Sequence, residues 1–204
     1  MSEKQDKFII LKKVKYGESD LILHALSSTG AKYSFMARGA LKSKKRFGGG
    51  ILEPSHFVAL TYKDTNEEGK LRTLNEAILI DDFKDVRSSY DKLEFALFAV
   101  NCAGSVSQEG DVHSDFLFNL LGHTLRVIGP ATNVNVLKLH FCVKFLYQQG
   151  VISIEPWMVP FLKTNISETQ NLLEAAEIHI TTETYLDSIE ALVLQYIKTA
   201  DPGF

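Results

Sequence analysis

The sequence of 204 residues contains only two cysteines, Cys102 and Cys142, and both lie in apolar, helix-like surroundings. Two cysteines cannot form a four-cysteine zinc site, and a disulfide between them is not expected in a reducing compartment. We therefore predict that both side chains are buried as small apolar groups.

Long apolar runs are also missing from the chain. No stretch approaches the roughly 20 apolar residues that a membrane helix needs, and the N-terminus lacks the apolar segment of a signal peptide. The apolar fraction of 45% and the charged fraction of 23% are those of an ordinary globular protein. We expect a cytoplasmic protein that does not enter a membrane.

The motifs of common catalytic and metal sites are absent from the sequence. It has no glycine-rich phosphate loop followed by Lys-Ser/Thr, no nucleophile elbow and no helix with paired zinc-binding histidines. His113 and His123 are ten residues apart, which is not a ligand spacing on a helix. Asp81, Asp82 and Asp85 precede a predicted helix, where carboxylates complement the helix dipole. We predict no catalytic residues and no metal.

Charge is distributed unevenly along the chain, although the net charge is only −3. Residues 1–50 hold eleven Lys or Arg and four Asp or Glu, whereas the remainder holds eleven basic and 21 acidic residues. A basic N-terminal part joined to an acidic remainder is a common sign of contact with nucleic acid.

Much of the positive charge lies in residues 38–50, called the basic loop below. Five cations occur within nine residues, and three glycines follow, which leave the far end of the loop free to move. Because isolated buried charges are costly, the loop must lie at the surface, where it suits a polyanion backbone. A solvated charge run with no ligand is the alternative. The five cations are Arg38, Lys42, Lys44, Lys45 and Arg46.

Phe47 directly follows these cations, and two roles are open for it. An aromatic side chain beside Arg46 can stack on an unpaired base, as in proteins that bind single strands. It can equally turn back under the barrel and hold the loop in place.

The sequence predicts five strands in its first 80 residues: residues 8–16, 21–26, 32–38, 56–63 and 70–80. Five short strands in about 80 residues predict a small closed barrel of the OB type, with an SH3-like barrel as the rival. Along the third strand, Tyr33, Phe35 and Ala37 point one way. The opposite face, with Lys32, Ser34, Met36 and Arg38, is predicted to be basic and solvated.

Beyond residue 82 the apolar period becomes helical. The pattern predicts a helix capped by Ser88 or Ser89, then helices at residues 114–128 and 134–149, and a capping box from Ser167 to Gln170. One or two helices follow before residue 199, with a short extended or turn segment possible at residues 178–182. The predicted fold class is α+β: an OB-type nucleic-acid-binding domain at residues 1–82 and an α-helical, partner-binding domain at residues 83–204.

Several separated motifs resemble the bacterial RecO family of recombination mediators. They occur in order as Tyr16-Gly17-Glu18-Ser19-Asp20, Thr29-Gly30, Ala37-Arg38-Gly39-Ala40, Lys42-Ser43-Lys44-Lys45-Arg46-Phe47 and Leu52-Glu53-Pro54. The resemblance implies a non-enzymatic role in DNA repair: binding of single- and double-stranded DNA, strand annealing, and loading of recombinase onto strands coated with single-strand-binding protein. It also implies RecR and the acidic tail of the single-strand-binding protein as partners. Many members carry a four-cysteine zinc site, from which this chain departs.

On this interpretation the DNA-binding set comprises the five cations of the basic loop and Phe47, extended by Lys32 and Lys13. Lys12 and Lys15 are further candidates. Because side chains alternate along a strand, Lys12 cannot share a face with Lys13 and Lys15. Arg126, Lys138 and Lys144 are candidates for docking an acidic peptide on the helical part. The alternative function is a protein-interaction adaptor, in which the helical domain binds partners and the barrel is a structural platform. A nucleoid-associated, cytoplasmic location follows from the first interpretation.

Overall fold

The computed structural model describes residues 3–48, 50–64, 71–109 and 115–200. Its contacts divide the chain into two compact units, one formed by Met1–Phe83 with Val106–Asn119 and the other by Lys84–Ser105 with Leu120–Phe204. The division into domains 1–82 and 83–204 with separate roles stays a prediction.

The first unit contains a closed five-stranded barrel. Its strands are β1 (Glu3–Tyr16), β2 (Asp20–Ser27), β3 (Lys32–Ala37), β4 (Phe57–Lys63) and β5 (Arg72–Asp81). They follow one another around the barrel in the order β1-β2-β3-β5-β4, and β3 pairs with β5 in parallel. The remaining pairings are antiparallel. The predicted OB-type barrel in an α+β chain is confirmed.

Aromatic side chains fill the barrel. Phe8, Phe35 and Tyr62 meet edge to face, with ring centroids 5.2 Å apart for Phe8–Phe35 and for Phe35–Tyr62. Each such pair contributes about 0.5–1.5 kcal/mol beyond the burial of its area. Tyr33 packs beside them, and the Arg72 guanidinium lies 4.2 Å from its ring centroid. The inward-facing side chains of the strands thus form one core, and those of β3 are the ones that the alternation along this strand predicts.

The outer face of β3 differs from the solvated face that the sequence predicts. The Lys32 amide donates to the Gln108 carbonyl at 2.9 Å, and Ser34 donates to the Glu109 carboxylate. His24 Nδ1 lies 3.0 Å from the Ser34 hydroxyl. Ser34 is consequently buried and Lys32 half-buried, because residues 108–109 lie along this part of the strand. The prediction of a solvated face is wrong there.

Five α-helices occur in the described part of the chain beyond the barrel strands. They are α1 (Tyr90–Val106), α2 (Phe116–Ile128), α3 (Val134–Gln148), α4 (Val159–Lys163) and α5 (Ala176–Ala200). The Lys92 amide donates to Ser89 Oγ at 3.3 Å, so that Ser89 caps α1 as predicted. α2 ends just before Gly129-Pro130, and Asn133 caps α3 by accepting from the Val136 amide. Short 3₁₀ segments cover Lys84–Ser88, Pro156–Met158 and Ile166–Glu174.

Two local predictions in the C-terminal half are wrong. Residues 178–182 lie inside α5 and are helical, because Ile178 and Thr182, one turn apart, both face the core and outweigh the strand preference of β-branched residues. Ser167 does not begin a capping box: the cap of this segment is Asn165, whose side chain accepts from the Ser167 amide at 3.1 Å. Gln170 instead accepts from the Thr132 hydroxyl at 3.3 Å.

The core of the second unit is aromatic and contains both cysteines. Phe141 packs against Phe95 at 5.9 Å and against Phe145 at 5.8 Å between ring centroids. Cys102 and Cys142 are free thiols with no exposed surface, as predicted. Burial raises the pKa of both thiols, which keeps them protonated.

His140 is a fully buried polar group of this core, held by Thr169 Oγ1 at 2.8 Å and by the Thr164 carbonyl at 3.2 Å. Burial first, and then the nearby Lys144 ammonium, lower the pKa of His140 to about 4. The unfolded chain, with a histidine pKa of about 6.5, therefore takes up this proton at a higher pH than the folded chain.

We expect the free energy of unfolding to fall as the pH drops from about 6.5 towards 4, by up to about 3 kcal/mol from this residue alone. Urea unfolding at a series of pH values measures it, and His140→Gln should flatten the profile in this window. If the free energy of unfolding depends on pH in the same way for the wild type and for His140→Gln, the pH dependence does not come from His140.

Candidate nucleic-acid interface

The basic loop leaves the barrel after β3 and returns to it before β4. The side chains of all five of its cations are exposed. Within the described residues, Lys42, Lys44 and Lys45 form no ion pair. Lys13 differs, because its ammonium lies 2.5 Å from the Glu53 carboxylate. The loop therefore presents cations whose charge is not neutralised by neighbouring carboxylates of the described chain.

The first part of the loop is attached to the β1–β2 turn. The Gly39 amide donates to Asp20 Oδ1 at 2.8 Å, and the Leu41 amide donates to the Ser19 carbonyl at 2.9 Å. Gly39 has a φ of +67°, which glycine adopts without strain. Hydrogen bonds to the carboxylate lower the pKa of Asp20; the bond from the Gly39 amide has the larger effect and the bond from the Ser19 hydroxyl the smaller. Both amides lie about 20 residues further along the chain than Ser19 and Asp20, so these two bonds join separate segments of the sequence.

The second part of the loop is attached through Arg46. Its carbonyl accepts from the Ala77 amide of β5 at 3.2 Å, and its guanidinium donates to the Arg38 carbonyl at 3.0 Å. The same guanidinium lies 5.1 Å from the centroid of the Phe47 ring. Arg46 thus closes the loop on itself and joins it to the barrel. The three glycines predicted to leave the far end of the loop free to move follow this attachment, and that freedom stays a prediction.

Phe47 is buried, with 5% of its surface exposed, in the barrel core beside Leu21 and Leu52. A ring in this position does not project from the loop, so it cannot insert between the bases of a strand while it stays in the core. The structure therefore supports the second of the two roles, in which Phe47 holds the loop. Its place in the DNA-binding set stays a prediction.

Gly48 allows the sharp turn that follows Phe47. A Cβ atom built on Gly48 would lie 2.1 Å from the Lys44 carbonyl oxygen, which no larger residue can tolerate without a shift of the backbone. Gly48 thus lets the chain pass close to Lys44. Gly49, the middle of the three glycines, lies outside the described residues.

We expect Asp20→Ala to lower the melting temperature and Asp20→Asn to lower it less, because asparagine keeps an acceptor for the Gly39 amide. Thermal unfolding at neutral pH compares the two variants. Since the folded pKa of Asp20 is lowered, its stabilisation is present above the unfolded value of about 3.9 and is lost as the pH falls through the folded pKa. Equal melting temperatures for wild type and Asp20→Ala would contradict a structural role of this bond.

Of the cations proposed to extend this surface, Lys32 lies half-buried beside Glu109, and Lys13 is exposed but paired with Glu53. Both are therefore weaker candidates for a phosphate than the lysines of the basic loop. Lys15 is exposed and Lys12 half-buried on β1, where the register shifts between Ile10 and Lys12.

The three cations proposed for partner docking have different environments. Lys138 is 8% exposed, and its ammonium lies 2.7 Å from Glu190 and 3.3 Å from Glu94. Its charge is thus paired within the chain, and its role in docking a peptide stays an untested prediction. Burial opposes its charge, but Glu190 and Glu94 outweigh burial and raise the pKa of Lys138. Lys144 is half-buried, donates to the Leu162 carbonyl at 3.1 Å, and has a pKa lowered by burial. Arg126 is exposed on α2.

The described residues also bear on metal binding and on membrane insertion. Among residues 3–48, 50–64, 71–109 and 115–200, no three or more His, Cys, Asp or Glu side chains are placed to hold a metal ion. The two cysteines of the chain do not fit a four-cysteine zinc site. Over the same residues, no helix is both long enough and apolar enough to cross a membrane.

Comparison with known proteins supports the resemblance drawn from the motifs. Residues 1–83 match the family described as Recombination protein O N terminal. The DNA repair protein RecO of Maridesulfovibrio salexigens is 34% identical over 149 residues, which cover 72% of this chain and 59% of that protein. The protein of the same name from Desulfosudis oleivorans is 32% identical over 145 residues, covering 70% and 55%.

A third relative, the DNA repair protein RecO of Anaeromyxobacter dehalogenans, is 33% identical over 114 residues, or 55% of this chain and 43% of that protein. The matched part of this chain thus spans between about two fifths and three fifths of these curated relatives. All three relatives carry the name DNA repair protein RecO, which agrees with the family that the motifs resemble. Residues 1–83 belong to the N-terminal part of the RecO family, and the chain as a whole is similar to these RecO proteins over 55% to 72% of its length.

Proposed function

We propose that this protein acts in DNA repair and recombination by binding DNA through the basic loop of its barrel. The observation that carries the proposal is the set of three exposed lysines, Lys42, Lys44 and Lys45, on a loop attached to the barrel at Gly39, Leu41 and Arg46. Cations of this kind bind phosphates without reading sequence, so single- and double-stranded DNA are both ligands.

The same charge accounts for strand annealing. Two complementary strands repel each other through their phosphates, and a cationic surface that contacts both lowers this repulsion. The attachment of the loop to the barrel keeps its cations together on one side, where two strands can share them. No bond is made or broken in this process, so the proposed role is not enzymatic.

In the cell we propose that the protein works in the cytoplasm at the nucleoid, with RecR, and helps to load recombinase onto strands coated with single-strand-binding protein. The acidic tail of that protein would contact the helical part of the chain. Arg126 is the exposed candidate for this contact, and the half-buried Lys144 is the second. No step of the proposed role uses zinc.

An annealing assay with two complementary labelled oligonucleotides tests the proposal. We expect the protein to raise the rate of duplex formation at low salt and the effect to fall as salt is added, because salt weakens phosphate contacts. If the protein binds a partner protein stably but neither binds nor anneals DNA at low salt, the adaptor function replaces this one.

A further inference from the structure

A pocket of about 290 Å³ lies between the basic loop and strands β1 and β2 of the barrel unit. Its floor is apolar and is formed by side chains that are at most 8% exposed, among them Leu21, Phe47 and Leu52. Leu41 stands at its edge with 47% of its surface exposed. A large apolar side chain at the edge of an apolar floor is suited to covering a flat, uncharged ring.

The rim of the pocket is polar and mixed in charge. Lys44, one of the lysines without an ion pair among the described residues, stands at the rim, as do Lys13 and Glu53, which pair with each other. A lone phosphate would meet the Glu53 carboxylate and an apolar floor, whereas a purely apolar ligand would leave Lys44 unused. A molecule with an uncharged ring and an attached phosphate matches both the floor and the cationic part of the rim.

The volume of the pocket limits the size of the ligand that it can hold. Small-molecule sites range from about 300 to 1,000 Å³, so this one is at the lower limit and takes one nucleotide unit. A base within a duplex is stacked on both faces and paired along one edge, so it cannot enter. An unpaired base of a single strand can enter while the neighbouring phosphates lie on the lysines of the basic loop.

We infer that this pocket receives one unstacked base of a single DNA strand whose phosphates are bound by the basic loop. The inference rests on the proposed function and adds to it a base contact that duplex DNA cannot make. Because the ring is recognised by apolar contact, the site accepts bases of any sequence.

The test compares two labelled single strands of about 16 nucleotides, the upper site size of one OB fold, one with bases and one with the same phosphates but abasic sugars. The full chain should bind the strand with bases about five- to tenfold more tightly, since stacking and apolar base contacts contribute on that order. Leu41→Ser, which keeps the charge, should remove most of this difference. Ile78→Ser is the matched control, because Ile78 is 50% exposed on β5 and is not among the residues lining the pocket.

The possible results distinguish the base pocket from DNA binding by the basic loop. A difference between the strands that Leu41→Ser removes and Ile78→Ser leaves supports the base pocket. Equal, salt-dependent binding of both strands overturns the pocket while the proposed function stands. Binding of neither strand at low salt overturns both. Circular dichroism confirms that the two variants are folded.

Discussion

Replacement of Lys42, Lys44 and Lys45 together by alanine is expected to weaken binding of single-stranded DNA by roughly ten- to a hundredfold at low salt, and to reduce the log–log salt slope by about two. Each phosphate neutralised on a single strand contributes about 0.7 to that slope, and three cations are removed. Fluorescence anisotropy with a labelled oligonucleotide over a salt series measures both quantities. Arg46 is left intact in this variant because its guanidinium and carbonyl hold the loop together.

The matched control carries the same change of charge on the helical part of the chain. Arg126, Lys163 and Lys198 are exposed on α2, α4 and α5, and their joint replacement by alanine should leave the slope within a few tenths of the wild-type value. If both triple variants lose affinity equally, net charge rather than the basic loop governs binding. An unchanged affinity of the loop variant would remove the loop from the mechanism.

Replacement of Phe47 by alanine is expected to lower the free energy of unfolding by about 3–5 kcal/mol. The ring lies in the barrel core, and its removal costs both the transfer of the side chain and the cavity left behind. Urea unfolding measures the change. Tyr90→Ala removes an aromatic ring that is 80% exposed and should change stability by less than about 0.5 kcal/mol.

Phe47→Leu separates the structural role from base stacking. Leucine keeps most of the apolar volume, so we expect the folded loop and the affinity for single strands to be retained. A variant that is stably folded but has lost its affinity for single strands would contradict the buried role and restore the ring as a base-stacking residue.

Part of the barrel could be predicted because apolar and polar residues alternate along β3. Phe35 and Ala37 occupy inward positions of β3 and both are fully buried. The covering of Ser34 could not be predicted in the same way, because residues 108–109, which cover it, follow about 75 residues later in the chain. Alternation shows which way a side chain points, but it cannot show what lies on that side.

The basic loop could be located from its charge, whereas its attachment could not. The bond from Gly39 to Asp20 joins two motifs of the family that are 19 residues apart, and only their joint occurrence in the sequence hinted that they belong together. The burial of Lys138 could not be predicted for a related reason. A lysine on a helix is usually solvated, but two glutamates, Glu94 and Glu190, stand opposite this one and allow its burial.

The measurement that tests the central claim most directly is the salt dependence of single-strand binding by the wild-type chain. If the loop binds phosphates, the logarithm of the affinity should fall linearly with the logarithm of the salt concentration, with a slope of about −2 or steeper. A slope near zero, or no binding at the lowest salt concentration, would contradict the account and leave the basic loop as solvated surface.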